Sequence, residues 1–294
     1  MEKTNVLISI IIPHHNIPDL LNRCIESIPN RNDFQVIVVD DNSNPEKVDF
    51  SNFPGQGRKN VEIYLTKEGK GAGYARNVGL RHAKGKWVLF ADSDDFFVDG
   101  FSDIISRYFD SHAQMILFKA MSVDSETLKP TNRNENINKR IDNVTKNECT
   151  ALEASLSVHS PWCRLINRSF IKENDIWFDE VIASNDAMFV TKATCLASHI
   201  EVSPNAIYVV TTRQGSLWDT RKKNPKNYLS RLDVQIRRNQ YVKKFGYKQN
   251  MILAFVYYAK DISILTFFKA LWMATSRGAL FQGIDSLLKK NTIK

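Results

Sequence analysis

Four short runs of β-branched and aromatic residues mark the first hundred positions, at 7–12, 34–39, 61–65 and 87–91. None alternates with polar residues, so each reads as a strand buried on both faces. Helical patterns follow the first run, from Asn16 and Pro18 to about Ile28, and the third, from about Tyr74 to Ala83. Proline near a helix start costs little, because its missing N–H would have no intrahelical partner there. Strands alternating with helices predict a mostly parallel, Rossmann-type α/β sheet flanked by helices.

The ends of these runs carry the chemistry. The second closes in Asp40 and Asp41, and the fourth in Asp92, Asp94 and Asp95. Ligands bind outside the carboxyl ends of strands in open α/β sheets. Carboxylates gathered there repel one another unless a cation joins them. Mg²⁺ or Mn²⁺ takes oxygen ligands and bridges to substrate phosphates. A glycine-bearing loop, Gly69 to Gly73, carries Lys70 and leads to Arg76; such residues meet phosphate and let the backbone approach it. The loop matches neither the dinucleotide fingerprint nor a P-loop. A short Asp-x-Asp is weak by itself, so its company decides.

The rest of the chain is predicted more loosely. Positions 114–123 contain a strand, and 126–147, polar and rich in Asn, read as a loop. Positions 160–167 are short and irregular or extended. A helix is expected over 185–198, a strand over 200–212, and helices from 227 onward. We divide the chain into a catalytic part at 1–220, with a nucleotide-sugar half to about 98 and an acceptor half beyond it. A basic, aromatic helical extension spans 221–294.

Charge separates the two parts. The chain carries a net +8, yet 221–294 holds 16 Lys and Arg against 3 Asp and Glu, leaving 1–220 at net −5. Such asymmetry directs the tail toward something anionic. No nucleic-acid-binding signature accompanies it, so nucleic acid is not the expected partner. An anionic membrane surface, packing on the domain and a homodimer through the C-terminal helices remain open for 251–275. That segment is apolar but interrupted by Lys260, Asp261 and Lys269, which do not share one helical face. No apolar run reaches the ~18 residues of a membrane span. The four cysteines show no metal-ligand spacing, and residues 1–5 lack the regions of a signal peptide. Both point to a cytoplasmic setting, peripheral on the membrane's cytoplasmic face if the tail meets lipid.

Four segments together carry a resemblance. Ser9-Ile10-Ile11-Ile12-Pro13-His14-His15-Asn16, Val38-Val39-Asp40-Asp41-Asn42-Ser43, Gly73-Tyr74-Ala75-Arg76-Asn77-Val78-Gly79-Leu80 and Leu89-Phe90-Ala91-Asp92-Ser93-Asp94-Asp95 resemble the family 2 glycosyltransferases. The likeness covers roughly 7–215 and implies the GT-A fold. It implies that Pro13, His15 and Asn16 lie around the base and ribose of a nucleotide-sugar. Asp41 would bond the base, which points to a UDP-sugar. Lys70, Arg76, Asp92 and Ser93 would hold the donor, and Asp94 with Asp92 the Mn²⁺ or Mg²⁺. Asp186 would be the general base, with Asn185 where the family usually has Glu. Trp162 and Arg164, in the segment that resembles the one before the base, would face the acceptor, a glycan or lipid-linked hydroxyl. The implied reaction is one inverting displacement. The chain lacks the Gln-x-x-Arg-Trp run and the membrane spans usual in the family's processive synthases, so one sugar per encounter is expected. A sugar-nucleotide-binding scaffold without catalysis remains an alternative. An Asp-dependent phosphatase fits less well, because its Asp-x-Asp belongs near the first strand.

Overall fold

A computed structural model describes residues 6–213 and 224–284. The basic positions at 221–223 and 289–294 that raise the tail's charge lie outside the described residues. The predicted parallel core is present: β1 (Ile8–His14), β2 (Phe34–Asp41), β3 (Val61–Thr66) and β4 (Trp87–Phe90) lie in the order β3-β2-β1-β4, all parallel. Every residue of β1, β2 and β4 is buried, which accounts for their unbroken apolar runs. Helices α1 (Pro18–Glu26) and α2 (Ala72–His82) are the two read from the sequence.

Past β4 the sheet changes direction. β7 (Arg164–Asn167) pairs antiparallel with β4 and with β6 (Met115–Asp124). β8 (Ile200–Thr212) runs parallel to β6, and the short β5 (Phe96–Phe97) pairs antiparallel with its far side. The eight strands form one sheet, with β3 at one edge and β5 at the other. The connecting helices are α3 (Phe101–Ser106), α4 (Glu135–Thr145), α5 (Ala151–Ser157), α6 (Arg168–Glu173) and α7 (Ala187–Leu196). Helix α4 corrects the expectation of a loop at 126–147. Its polar sequence hides Ile137 and Ile141, four residues apart, which pack into the main core.

Beyond the sheet lie α8 (Pro225–Lys243), α9 (Ile252–Tyr258) and α10 (Ile264–Ser276). They share a small core of their own that includes Leu232, Ile236, Val256, Ala270 and Ala274. Ala187 and Met188 of α7 pack against Val234 of α8, joining this layer to the rest. Lys260 and Asp261 fall in a 3₁₀ turn between α9 and α10 rather than on a helix face. Among the described residues no helix is long and apolar enough to cross a membrane.

Candidate active site

The carboxyl edge of β1–β4 collects most of the residues singled out in the sequence. Asp40 and Asp41 are adjacent but serve different neighbours, because successive strand side chains point to opposite faces. Asp40 bonds His14 Nδ1 at 2.8 Å and accepts from the Ser43 hydroxyl and amide. Burial raises its carboxyl, but these hydrogen bonds outweigh that and hold it below its ordinary range. His14 Nε2 accepts from the Ile17 amide, so its Nδ1 carries the proton given to Asp40. His14 thus secures the turn from β1 into α1. His15 is exposed, and its Nδ1 bonds the Asp41 carbonyl. Asn16, at a positive φ of 62°, bonds Ser43 and Asn44. Pro13 is buried at the end of β1.

Asp41 takes the opposite face. Its carboxylate accepts the amides of Gly71 at 2.5 Å and Lys70 at 3.2 Å, and Thr66 Oγ1 at 3.2 Å. The glycine loop is therefore fastened to the second strand. Gly71 sits at φ +90°, a conformation that side chains resist. Lys70 stays exposed, its ammonium 4.9 Å from the Tyr74 ring centroid. Both Asp41 oxygens are engaged, yet a carboxylate has about four lone-pair sites, so room for a further donor remains.

The acidic loop after β4 is pinned by long-range contacts. The Asp92 amide donates to Tyr208 Oη at 2.8 Å. The Asp94 carbonyl accepts from Arg23 Nη2 and Thr211 Oγ1. The Asp94 carboxylate pairs with Arg213 Nε at 3.2 Å. Asp95 is 1% exposed and accepts the Thr211 amide, which sets it apart from the other two. Burial first, then Asp94 and Asp92, push its carboxyl well up. Asp95, expected at the end of the same run, is thus taken up by the fold, whereas Asp92 and Asp94 are the two carboxylates that the resemblance gives to a metal. Ser93 lies buried between them. Among the described residues no three His, Cys, Asp or Glu side chains gather as metal ligands. Two neighbouring carboxylates still suit Mg²⁺ or Mn²⁺, which is commonly held by one or two carboxylates plus substrate phosphates.

Arg76 ties the acidic loop after β4 to the segment before α7. Its guanidinium reaches Asp92 at 2.5 Å and Asn185 Oδ1 at 2.9 Å, and it lies 5.4 Å from the Phe178 ring centroid. Its Nε is buried without a hydrogen-bond partner. Asn185 supplies a neutral acceptor where the family usually has a carboxylate. Gly73 makes the approach of α2 feasible: a Cβ there would lie 2.1 Å from the Asp179 carbonyl oxygen and 3.0 Å from Asn185 Cβ. Asn77, one turn on, exchanges hydrogen bonds with the Phe178 backbone in the same segment. Gly73, read from the sequence as part of a phosphate-approach loop, serves helix-to-loop packing here.

Asp186 stands at the start of α7 with no capping hydrogen bond from its side chain. Burial chiefly raises its carboxyl, Arg76 lowers it, and Asp92 raises it again, leaving it at about 6. A carboxylate so poised is matched to proton abstraction near neutral pH.

Trp162 and Arg164 do not face an acceptor surface, which corrects that expectation. Trp162 is 5% exposed and stacks on Tyr208 at 5.1 Å, behind the acidic loop. Arg164 is fully buried; it donates to the carbonyls of Ser155, Val158 and Ser160 and to the Ser155 hydroxyl. It braces the carboxyl end of α5, where a helix dipole favours a cation. Arg23, Tyr208, Thr211 and Arg213 were not singled out in the sequence. No local signal marks them, since each contact spans dozens of positions.

Comparison with known proteins gives the family and the fold. The family model "Glycosyl transferase family 2" matches residues 9–174, more than half the chain, and the chain belongs to that family. Its sheet and helices are the GT-A arrangement. The chain is 28% identical over 228 residues to poly(ribitol-phosphate) beta-N-acetylglucosaminyltransferase TarS of Staphylococcus aureus, covering 75% of this chain and 38% of that protein. It is 27% identical over 237 residues to a poly(ribitol-phosphate) beta-glucosyltransferase of Bacillus spizizenii, covering 77% of this chain and 36% of that one. A crystal structure of S. aureus TarS 1-349 in complex with UDP-GlcNAc superposes with a TM-score of 0.61 at 21% identity, covering 91% of this chain and 73% of that one. The chain thus spans under two fifths of the length of these curated relatives.

Proposed function

We propose that this chain catalyses inverting transfer of one sugar from a nucleoside-diphosphate sugar to an acceptor hydroxyl, with Asp186 as the general base. The observation that carries the reading is the single cluster Arg76–Asp92–Asn185–Asp186, whose carboxylate at about 6 is poised to accept a proton. Asp186 removes the proton of the hydroxyl as it attacks the anomeric carbon from the face opposite the leaving diphosphate. Arg76, partly neutralised by Asp92, keeps Asp186 from rising further and favours negative charge on the donor side. Pro13, His15, Asn16 and Asp41 line the base and ribose, with Lys70 and Ser93 toward the diphosphate. Asp94 and Asp92 would hold Mn²⁺ or Mg²⁺, which when bound neutralises charge on the departing nucleoside diphosphate.

A UDP-sugar is the proposed donor, supported by the likeness to a structure holding UDP-GlcNAc. The relatives' names favour a phosphate-linked polyol chain among glycan and lipid-linked acceptors. Thermal unfolding of the full chain with UDP-, GDP- and CMP-sugars, with and without Mn²⁺, tests the donor, because a ligand that binds only the native state raises its stability. The expected result is a metal-dependent rise with a UDP-sugar. A rise with GDP- or CMP-sugars alone would overturn the nucleotide assignment. No rise with any would count against donor binding altogether.

A second reading treats 221–294 as a unit beside the catalytic part at 1–220 and concerns the surface of its described helices, α8 to α10. Ile264, Leu265, Phe268 and Trp272 of α10 and Tyr257 and Tyr258 of α9 are all more than half exposed. Exposed Lys260, Lys269 and Arg277 accompany them. Aromatic and basic residues of this kind suit the cytoplasmic face of an anionic membrane. Flotation with anionic liposomes at low salt, reversed at high salt, is expected. A change of oligomeric state on substituting Phe268 and Trp272, with no flotation, would instead assign the face to a homodimer.

A further inference from the structure

A cavity of about 210 Å³ lies between α7 and α8, next to the proposed base. His159, Ser184, Ala187, Arg231, Gln235 and Phe255 line it. Ser184 and Ala187 flank Asn185 and Asp186 in the chain, so the cavity lies against the segment that carries the proposed base. Its size is below the ~300 Å³ at which pockets begin to enclose drug-sized ligands, and suits one compact group.

Arg231 brings the charge to the lining. No carboxylate lines the cavity. Among the described residues Arg231 makes no ion pair, whereas the acids nearby are taken: Asp179 by Arg237, and Asp233 by Arg237 and Arg277. Behind the lining, Arg238 is 4% exposed. Its Nε and Nη2 reach Thr191 and Leu156, while its Nη1 is buried without a partner. Arg164 carries another guanidinium that acts on His159; it is hydrogen-bonded to carbonyl oxygens and lies in the field of the Asp186 carboxylate. Burial first, then Arg238 and Arg164, push the His159 imidazole down to about 3. It is therefore neutral at working pH and able to donate one hydrogen bond. Arg231 in the lining and the unpartnered Arg238 Nη1 behind it make a region that an anion would relieve.

We propose that this cavity is an anion site that takes a phosphate diester of the acceptor chain and so sets the neighbouring hydroxyl against Asp186. Arg231 contacts the phosphate directly, the His159 N–H donates to it, and Arg238 stabilises it from behind. The proposal rests on the reading of Asp186 as the base of a transferase. It adds that the acceptor is recognised through its negative charge.

The test uses the full chain with histidines labelled in the ring. Dimethyl phosphate, as the diester probe, and inorganic phosphate are titrated without donor, and the His159 resonance is assigned with His159→Gln. The site predicts a saturable His159 shift with dimethyl phosphate, weakened about 10–100-fold by Arg231→Gln, the usual worth of a hydrogen bond to a charged group. Lys129→Gln, an equal charge change at an exposed residue outside the site, should leave the shift unchanged. In kinetics, Arg231→Gln should raise KM for a phosphate-linked polyol acceptor and leave KM for the donor alone. A His159 shift unaffected by Arg231→Gln, or none with either probe, overturns the site even if transfer occurs. A shift with inorganic phosphate alone overturns the diester assignment. A saturable, Arg231-dependent shift in a protein that transfers no sugar supports the anion site and refutes the transferase reading.

Discussion

Replacing Asp186 with Asn should make the protein more stable and much less active. The carboxyl stands at about 6 against an ordinary 3.8, a rise of roughly two units. At ~1.4 kcal/mol per unit, an ionised Asp186 burdens the folded state at pH 8 by up to about 3 kcal/mol. Its partial opening to solvent reduces this to ~1–2 kcal/mol. Because the folded pKa is raised, the folded chain binds the proton more tightly than the unfolded chain. This stabilising contribution is full below pH 3.8 and is lost as pH rises through 6. Asn carries no charge at any pH, so the variant should melt ~2–6 °C above the parent at pH 8, with the gap closing toward pH 4. Scanning calorimetry of both proteins at several pH values reads this difference. Transfer should fall ~10²–10⁴-fold with donor affinity nearly intact, and kcat/KM of the parent should rise with pH through about 6. A melting difference independent of pH, or near-normal turnover in the variant, would refute the reasoning.

Other substitutions separate the remaining parts. Asp94→Ala should abolish the metal-dependent part of donor binding, read as the loss of the Mn²⁺-dependent thermal shift with a UDP-sugar. Gly73→Ala should lower stability by ~1–3 kcal/mol, because its Cβ meets the Asp179 carbonyl, and should reduce transfer by displacing Asn185; denaturant unfolding and kinetics measure both. Arg164→Met should lower stability by ~1–3 kcal/mol by leaving buried carbonyls unbonded. The KM for acceptor of the folded fraction should not change, since Arg164 lies inside the protein.

The strands at the parallel end were legible because burial on both faces leaves no room for polar residues, and β8 keeps the bounds expected for it. The direction of β7 was not, since its four residues carry no mark of which neighbour they join. Helix α4 was obscured by its asparagines, although the spacing of Ile137 and Ile141 signalled a buried helical face. Within the site, the acidic cluster and Asp186 stood out as residue types at element ends. What distinguished Asp95 from Asp94 was the partner each found on the strand and coil near 211–213. Arg164 was singled out only because its segment resembles the one before the family's base. Here α5 and the 158–160 segment satisfy it with carbonyl oxygens.

The central claim is inversion at the anomeric carbon with Asp186 as base. It is tested most directly by NMR of the sugar transferred from an α-linked UDP-sugar to a phosphate-linked polyol, with the parent and the Asp186→Asn protein compared. The account requires a β-linked product from the parent, and a product of the same configuration at least ~10²-fold more slowly from the variant. An α-linked product, or equal rates from the two proteins, would contradict it.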